Sequence, residues 1–482
     1  MTKVLFATSE VHPLVKTGGL ADVSGALPTA LRALGYDVRV VAPAYPTALA
    51  RCERLTLARL LELPGAPTPV RILEGVLPHS GVPLYLIDCP KYFDRLGGIY
   101  GDGQNDWPDN PQRFGLFSRA VVALAKGHAE WIPELVHCND WQTGLVPALF
   151  SLEGYRPKSI FTIHNLSYPG LFPWGTFVEL NLPMALWSPA GLEFYNKVSF
   201  IKGGLVYADL LTTVSPTYAQ EICTPAFGYG LEGLLRSRVD SLFGILNGVN
   251  YDYWDPTRDM LIPYHYTSSD LSGKSANKAA LQRRLDLPVR PKVALLGFIG
   301  RLVEQKGFDL VLSGLPELFH HPLQVVVLGS GESFFEHGLR DLAFRFPNQI
   351  AVHIGYDEEL AHLIEAGADA FIMPSRFEPC GLNQLYSLRY GTLPIVRRTG
   401  GLADTVVDAN SENIATGRAT GFVFDAATPA ALIATLTRAL NLYYHHYDSW
   451  HQMMQTAMAI DYSWNQSARH YADLYQRALN KG

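Results

Sequence analysis

The hexapeptide Thr17-Gly18-Gly19-Leu20-Ala21-Asp22 returns unchanged at Thr399-Gly400-Gly401-Leu402-Ala403-Asp404, and a cation precedes each copy, Lys16 and Arg398. Each copy follows an apolar, strand-like run and opens an apolar helical pattern. A strand, a glycine turn and a helix N-terminus together suit an anion. Glycines let the backbone come close to a ligand, and the first-turn N–H groups point outward. One such unit near each end of the chain predicts two similar α/β domains facing one ligand. The plainer alternative is a convenient strand-to-helix turn used twice.

The rest of the chain fits the two-domain plan. Short apolar runs rich in β-branched residues fall at 4–8, 38–43, 84–88, 135–139, 159–164, 210–215 and 243–247. A second set falls at 293–300, 323–329, 350–355, 370–375, 393–397 and 421–425. Helical patterns such as 26–34, 113–126, 307–318 and 357–366 lie between them. Strands buried on both faces read this way, and they predict parallel sheets covered by helices. The boundary is expected in the turn-rich, aperiodic stretch 247–258. This gives an N-terminal domain over 1–246, a C-terminal domain over 259–455 and a final helical segment over 456–482. The amphipathic pattern of that last segment starts near Trp450 and runs to Leu479.

At 482 residues the chain is too long for one ordinary core. Its net charge of −6 offers no general electrostatic case for nucleic acid. Five cysteines (Cys52, Cys89, Cys138, Cys223 and Cys380) are scattered and never spaced CxxC, so neither a disulfide framework nor a zinc site is expected. No apolar run reaches membrane-spanning length. The opening Val4-Leu5-Phe6-Ala7 is too short for a secretory leader. A cytoplasmic protein is expected, or the mature product of an organelle precursor.

Ligands of open parallel sheets bind at the carboxyl ends of the strands, so the residues that follow each strand carry the chemistry. After 293–300 come Arg301 and Lys306, near enough in sequence to share one phosphate group, or else a solvated pair capping the sheet. Pro374 to Gln384 is the most specific segment. Its turn would offer the N–H groups of Gly381 and Leu382 to phosphate oxygens, with Glu378 just before them. Glu378 could meet sugar hydroxyls or positive charge, or merely answer the helix dipole. His164 and Asn165 follow 159–163, and His164 fits a sugar contact and a structural role evenly. Asp140, beside Trp141, fits a sugar contact and a buried turn equally. Gly355 and Tyr356 follow another strand, and Tyr356 could stack on a base. No P-loop is present, no G-x-G-x-x-G fingerprint follows the first strand, and no Asp-x-Asp pair suggests a metal-held diphosphate.

Lys16 to Val23, Arg301 to Lys306 and Phe377 to Gln384 together resemble the bacterial and plastid glycogen/starch synthases that use ADP-glucose. The opening Val4 to Pro13 fits the same family, as do His137 to Gln142, Phe161 to Asn165 and Ile245 to Val249, so the likeness spans essentially the whole chain. The resemblance implies a GT-B fold, two Rossmann-like, doubly wound domains facing a deep cleft. It also implies a C-terminal helix that returns to the first domain. The implied reaction moves α-D-glucose from ADP-glucose to the 4-hydroxyl at a glucan's non-reducing end with retention, without a metal or other cofactor.

By the same resemblance Lys16, Arg301 and Lys306 would neutralise the diphosphate, and Gly19, Gly381 and Leu382 would offer N–H groups. Gly355 and Tyr356 would border the adenosine. Glu378, His164, Asn165, Asn247 and Asp140 would surround the glucosyl unit. One departure stands out. Many related retaining transferases carry a second Glu eight residues after the first, where this chain has Tyr386. Synthases of the ADP-glucose type share that lack. The readings that compete are a transferase using UDP-glucose or another nucleotide sugar, a phosphorylase on the same fold, and a silent glucan-binding protein.

Overall fold

A computed structural model describes residues 1–103, 105–128, 131–154 and 156–481. The chain divides into two compact units. Unit 1 is Met1–Gly248 with Trp464–Gly482, and unit 2 is Val249–Ser463.

The strands of unit 1 are β1 (Lys3–Ala7), β2 (Asp37–Pro43), β3 (Glu53–Leu61), β4 (Val70–Val76), β5 (Pro83–Asp88), β6 (Leu135–Asn139), β7 (Lys158–Ile163), β8 (Leu171–Pro173), β9 (Glu193–Phe194), β10 (Lys197–Ser199), β11 (Leu210–Thr213) and β12 (Leu242–Gly244). Among the described residues nine of them form one sheet, in the order β12-β11-β7-β6-β1-β2-β5-β4-β3. From β12 to β5 every pairing is parallel. Strands β4 and β3 extend that sheet antiparallel. Strands β8, β10 and β9 make a small antiparallel sheet.

The parallel strands show up in the sequence because they are buried on both faces; every residue of β6 is buried. Strand β3 escaped notice because it is almost wholly exposed and bulged, so no apolar run or strict alternation marks it. The strand expected at 243–247 is realised as the shorter Leu242–Gly244.

Unit 2 contains β13 (Ala294–Ile299), β14 (Leu323–Gly329), β15 (Ile350–Ile354), β16 (Ala370–Met373), β17 (Leu393–Arg397) and β18 (Phe422–Phe424). They form a parallel sheet in the order β15-β14-β13-β16-β17-β18. Helices cover both faces, giving two apolar clusters, one on either side of the sheet.

Both sheets reverse their winding beside their first strand. Unit 1 winds outward from β1 through β2 and β5, then restarts at β6 on the other side of β1. Unit 2 does the same with β13 and β16. At such a switch point the loops leaving the two central strands diverge and open a crevice at the carboxyl ends. The loops after β1 and β6 are therefore set around a crevice of unit 1, and those after β13 and β16 around one of unit 2.

The terminal helical segment is not one helix. A helix over Tyr447–Ala459 stops, and Trp464–Asn480 begins after a break. Residues 456–459, expected in the last helix, thus belong to the one before it. Within the break, the Ser463 N–H donates to Asp461 Oδ1 at 2.8 Å. The carbonyl of Tyr462 accepts from Val249 N at 2.7 Å, so it leaves the helical ladder for another segment.

The Trp464–Asn480 helix packs into unit 1 through Trp464, Ala468, Tyr471, Tyr475 and Ala478, at helical spacing on one face. Tyr475 Oη meets the buried His137 Nδ1 at 2.8 Å, and His137 Nε2 meets Thr162 Oγ1 at 2.6 Å. Burial drives the His137 ring well down, to about 3, so it is neutral.

Candidate functional site

At the switch point of unit 2, the loop after β13 and the turn after β16 are tied together. Asn383 Nδ2 donates to Ile299 O at 2.9 Å, and Gln305 Nε2 donates to Phe377 O at 3.0 Å. Arg376 N donates to Gln305 O at 2.8 Å. These bonds bring Lys306 onto Glu378, and Lys306 Nζ contacts Glu378 Oε2 directly. Ser375 Oγ donates to the same carboxylate oxygen at 3.1 Å. Glu378 is buried, and Lys306 is partly exposed. Arg301 is exposed, and its guanidinium is steadied by Gln305 Oε1 at 3.3 Å.

The turn after Glu378 has the backbone that anion contact requires. Gly381 adopts φ +73°, and the helix Asn383–Arg389 follows it. A Cβ at Gly381 would lie 2.4 Å from Gln384 Oε1, so only glycine fits this conformation without displacing a neighbour. The helix starts at Asn383, slightly later than expected, with Leu382 as its cap. Gly381 and Leu382 are half-buried at the carboxyl end of β16.

The second hexapeptide lies against that turn from behind. Gly401 N donates to the carbonyls of Glu378 and Pro379, each at 3.2 Å. A Cβ on Gly400, whose φ is +44°, would sit 1.9 Å from Glu378 O, and one on Gly401 would sit 2.2 Å from Cys380 O. These glycines thus hold the carboxylate loop in place, and the Gly401 N–H is already engaged. Arg398 pairs with Asp425 at 2.7 Å and is half exposed.

The first hexapeptide is built differently. Its glycine turn is exposed, and nothing lies within 4 Å of a Cβ on Gly18. Glu10 supports the turn from beneath. Its Oε2 accepts from Thr17 N at 2.5 Å and Gly18 N at 3.1 Å, and its Oε1 accepts from Tyr100 Oη at 3.1 Å. Burial raises the Glu10 carboxyl above its ordinary value, against the lowering by those hydrogen bonds. Lys16 is exposed and pairs with Asp22 at 2.9 Å, while Gly19 is the first residue of the helix Gly19–Ala33.

Beside this loop, at the end of β6, Asp140 adopts φ +57° and its Oδ1 accepts from His164 N at 2.7 Å and Asn165 N at 3.4 Å. Burial pushes its carboxyl up to about 7, against those two bonds. Asp140 is thus a turn residue that orders the His164 loop. His164 Nε2 meets Asn139 Oδ1 at 2.9 Å, and burial lowers its ring to about 3, leaving a neutral imidazole. Such a ring offers hydrogen bonds but no charge. Asn165 Oδ1 is occupied by Ser167 N and Oγ. Asn247 is buried, and its Oδ1 has no partner among the described residues.

Gly355, at φ +140°, and Tyr356 follow β15. Tyr356 is 81% exposed, and its hydroxyl contacts Glu358. Among the described residues no group of three or more His, Cys, Asp or Glu is placed to hold a metal ion. No helix among them is long and apolar enough to cross a membrane.

Sequence reasoning missed three supporting groups, Glu10, Ser375 and Gln305. Glu10 was findable, as a carboxylate just past the end of β1. Ser375 and Gln305 act through contacts made only when β13 and β16 become neighbours.

A family profile described as "Starch synthase catalytic domain" matches residues 3–237, and one described as "Glycosyl transferases group 1" matches 282–456. The chain is 53% identical over 483 residues to "Glycogen synthase 2" of Nitrosococcus oceani, covering 100% of this chain and 98% of that one. It is 55% identical over 480 residues to "Glycogen synthase" of Thioalkalivibrio sulfidiphilus, covering 98% and 99%. Among solved structures, the "Catalytic domain of Starch Synthase IV from Arabidopsis thaliana bound to ADP and acarbose" aligns with a TM-score of 0.89 at 33% identity, covering 100% and 99%. With matches of this extent, and with two doubly wound units whose switch points carry the expected loops, the chain belongs to the glycogen/starch synthase family of retaining GT-B glycosyltransferases.

Proposed function

We propose that the protein transfers an α-D-glucosyl unit from ADP-glucose to the 4-hydroxyl at the non-reducing end of an α-1,4-glucan, with retention and without a metal. The observation that carries this reading is the assembly of Lys306, Glu378 and the Gly381–Leu382 turn at the β13/β16 switch point. The adenine choice is supported by the ADP named with the Arabidopsis starch synthase structure. The scattered cysteines support a reducing, cytoplasmic setting.

Cleaving the glycosidic C–O bond leaves negative charge on the diphosphate and positive charge on the anomeric carbon. Arg301, Lys306 and the Gly381 and Leu382 N–H groups address the first, and Glu378 addresses the second. In unit 1, Lys16 and the Gly19 N–H suit an anion. Asp140, His164, Asn165 and the unpartnered Asn247 Oδ1 suit sugar hydroxyls. Gly355 leaves room for a base that Tyr356 can stack on.

The test is incorporation of radiolabel into glycogen from ADP-glucose and from UDP-glucose, with and without EDTA. ADP-glucose is expected to label glycogen well above UDP-glucose, with no loss in EDTA. Failure of both donors would falsify the reading. Preference for UDP-glucose would reassign the donor, and inhibition by EDTA would overturn metal independence.

A further inference from the structure

The chain passes between its units twice, at Gly248/Val249 and at Ser463/Trp464. On the unit 2 side the two passages are bonded to each other. Val249 N donates to Tyr462 O at 2.7 Å, Tyr462 N donates to Tyr251 Oη at 2.9 Å, and Val249 pairs with Ser463 as a parallel bridge.

From this paired segment two routes of contact lead to the turn that carries Glu378. Along the first, the Trp254 ring is sandwiched. It stacks on Tyr386 with centroids 4.0 Å apart and on His362 at 3.7 Å, with interplanar angles of 4° and 14°. Asp255 pairs with Arg389 at 2.5 Å, and the Arg389 guanidinium lies over the Tyr251 ring. Tyr386 and Arg389 belong to the short helix that begins just after Gly381 and Leu382.

Along the second route, Tyr462 Oη donates to Thr405 O at 3.1 Å, and Thr405 Oγ1 accepts from Gln384 Nε2 at 3.3 Å. Thr405 ends the helix Gly400–Thr405, whose opening glycines back Glu378.

We propose that Trp254 and Tyr462 are positioning residues for the nucleotide sugar: through these routes they set the pose of the turn from Glu378 to Leu382. The inference rests on reading that turn as the diphosphate site. Packing alone would not require both passages to end on the two helices that flank one turn. Because coupling is reciprocal, ligand held at the turn also steadies the paired passages.

The experiment measures ADP affinity by calorimetry, and separate KM values for ADP-glucose and glycogen, on the full chain and three variants. Trp254→Ala is expected to raise the ADP Kd and the donor KM by about tenfold, within the range of couplings carried through packed side chains, and to leave the glycogen KM unchanged. Trp254→Phe, which keeps a stacking ring, is expected to restore most of the affinity. Tyr462→Phe, which deletes one hydroxyl, is expected to raise both donor values by about threefold.

A folded Trp254→Ala protein with unchanged ADP affinity, or with equal rises in donor and glycogen KM, overturns the proposal. Should Trp254→Ala fail to fold, Tyr462→Phe decides on the same criterion. Absence of ADP binding by the unsubstituted chain overturns the diphosphate reading itself. Normal binding by that chain with unchanged variants overturns only the positioning role.

Discussion

Lys306 Nζ and Glu378 Oε2 are in direct contact across the β13/β16 switch point, one residue from each of the two diverging loops. The cation suited to a leaving diphosphate and the carboxylate suited to the anomeric centre are thus held against each other. Each fixes the other's rotamer, with Ser375 as a third anchor. On the proposed reading, replacing either removes a group aimed at developing charge. Lys306→Ala and Glu378→Gln are each expected to lower kcat by about a hundredfold, the scale of one lost preorganised contact. Steady-state rates within a few-fold of the unsubstituted enzyme would strike these residues from the site.

The two identical hexapeptides should respond unequally to the same substitution. Gly400→Ala forces a Cβ to within 1.9 Å of Glu378 O at a positive φ, so it should destabilise unit 2 by about 1–3 kcal/mol and reduce activity. Gly18→Ala meets nothing within 4 Å and should leave thermal stability almost unchanged. Melting curves of both variants check this, and similar midpoints would contradict it.

Tyr356 tests the base contact free of folding effects. It is 81% exposed, so Tyr356→Ala should not shift the melting midpoint. Loss of a stacking ring costs about 1–3 kcal/mol per base, so the ADP-glucose KM should rise roughly 5- to 150-fold. An unchanged KM would remove Tyr356 from the nucleotide site.

The buried imidazole of His137 sets an acid limit on unit 1. Its folded value is about 3 against an ordinary 6.5, so in that window the unfolded chain binds a proton that the folded chain does not. Its contribution to stability is whole above pH 6.5 and falls as pH drops toward 3. Asp140 acts oppositely: its value is raised from 3.8 to about 7, so its contribution falls as pH rises through that interval. Urea titrations at pH 5 and 6 should show a pH slope that is smaller in His137→Asn by about 1.4 kcal/mol per pH unit, the effect of one proton. An unaltered slope would mean that His137 is charged when folded.

The link between His137 and Tyr475 gives a second check on the same region. Tyr475→Phe removes one buried hydrogen bond and should cost about 1–3 kcal/mol, because it leaves the imidazole nitrogen unsatisfied. Chemical denaturation followed by the near-ultraviolet signal of the tyrosines measures it, and no loss would show that the bond is dispensable.

The sheets were legible because parallel strands buried on both faces leave continuous apolar runs, as β6 and β14 do. Strand β3 was not, since its exposed residues carry no such mark. In the site, the loops could be picked out by their position after strands. What they do could not, because partnership across β13 and β16 is a product of strand order. The repeated hexapeptide shows the limit most plainly. The same six residues are an exposed turn over Glu10 in one place and a buried support for Glu378 in the other. Only the neighbours distinguish them.

The return of the Trp464–Asn480 helix to unit 1 has a consequence for biosynthesis. The ribosome makes all of unit 2 before it makes the last segment of unit 1. Unit 2, a single uninterrupted stretch, can close its core while unit 1 still lacks the tyrosine that satisfies His137. The unit synthesised first is therefore the last to be finished, and a chain truncated late in translation would carry a completed second unit on an unfinished first.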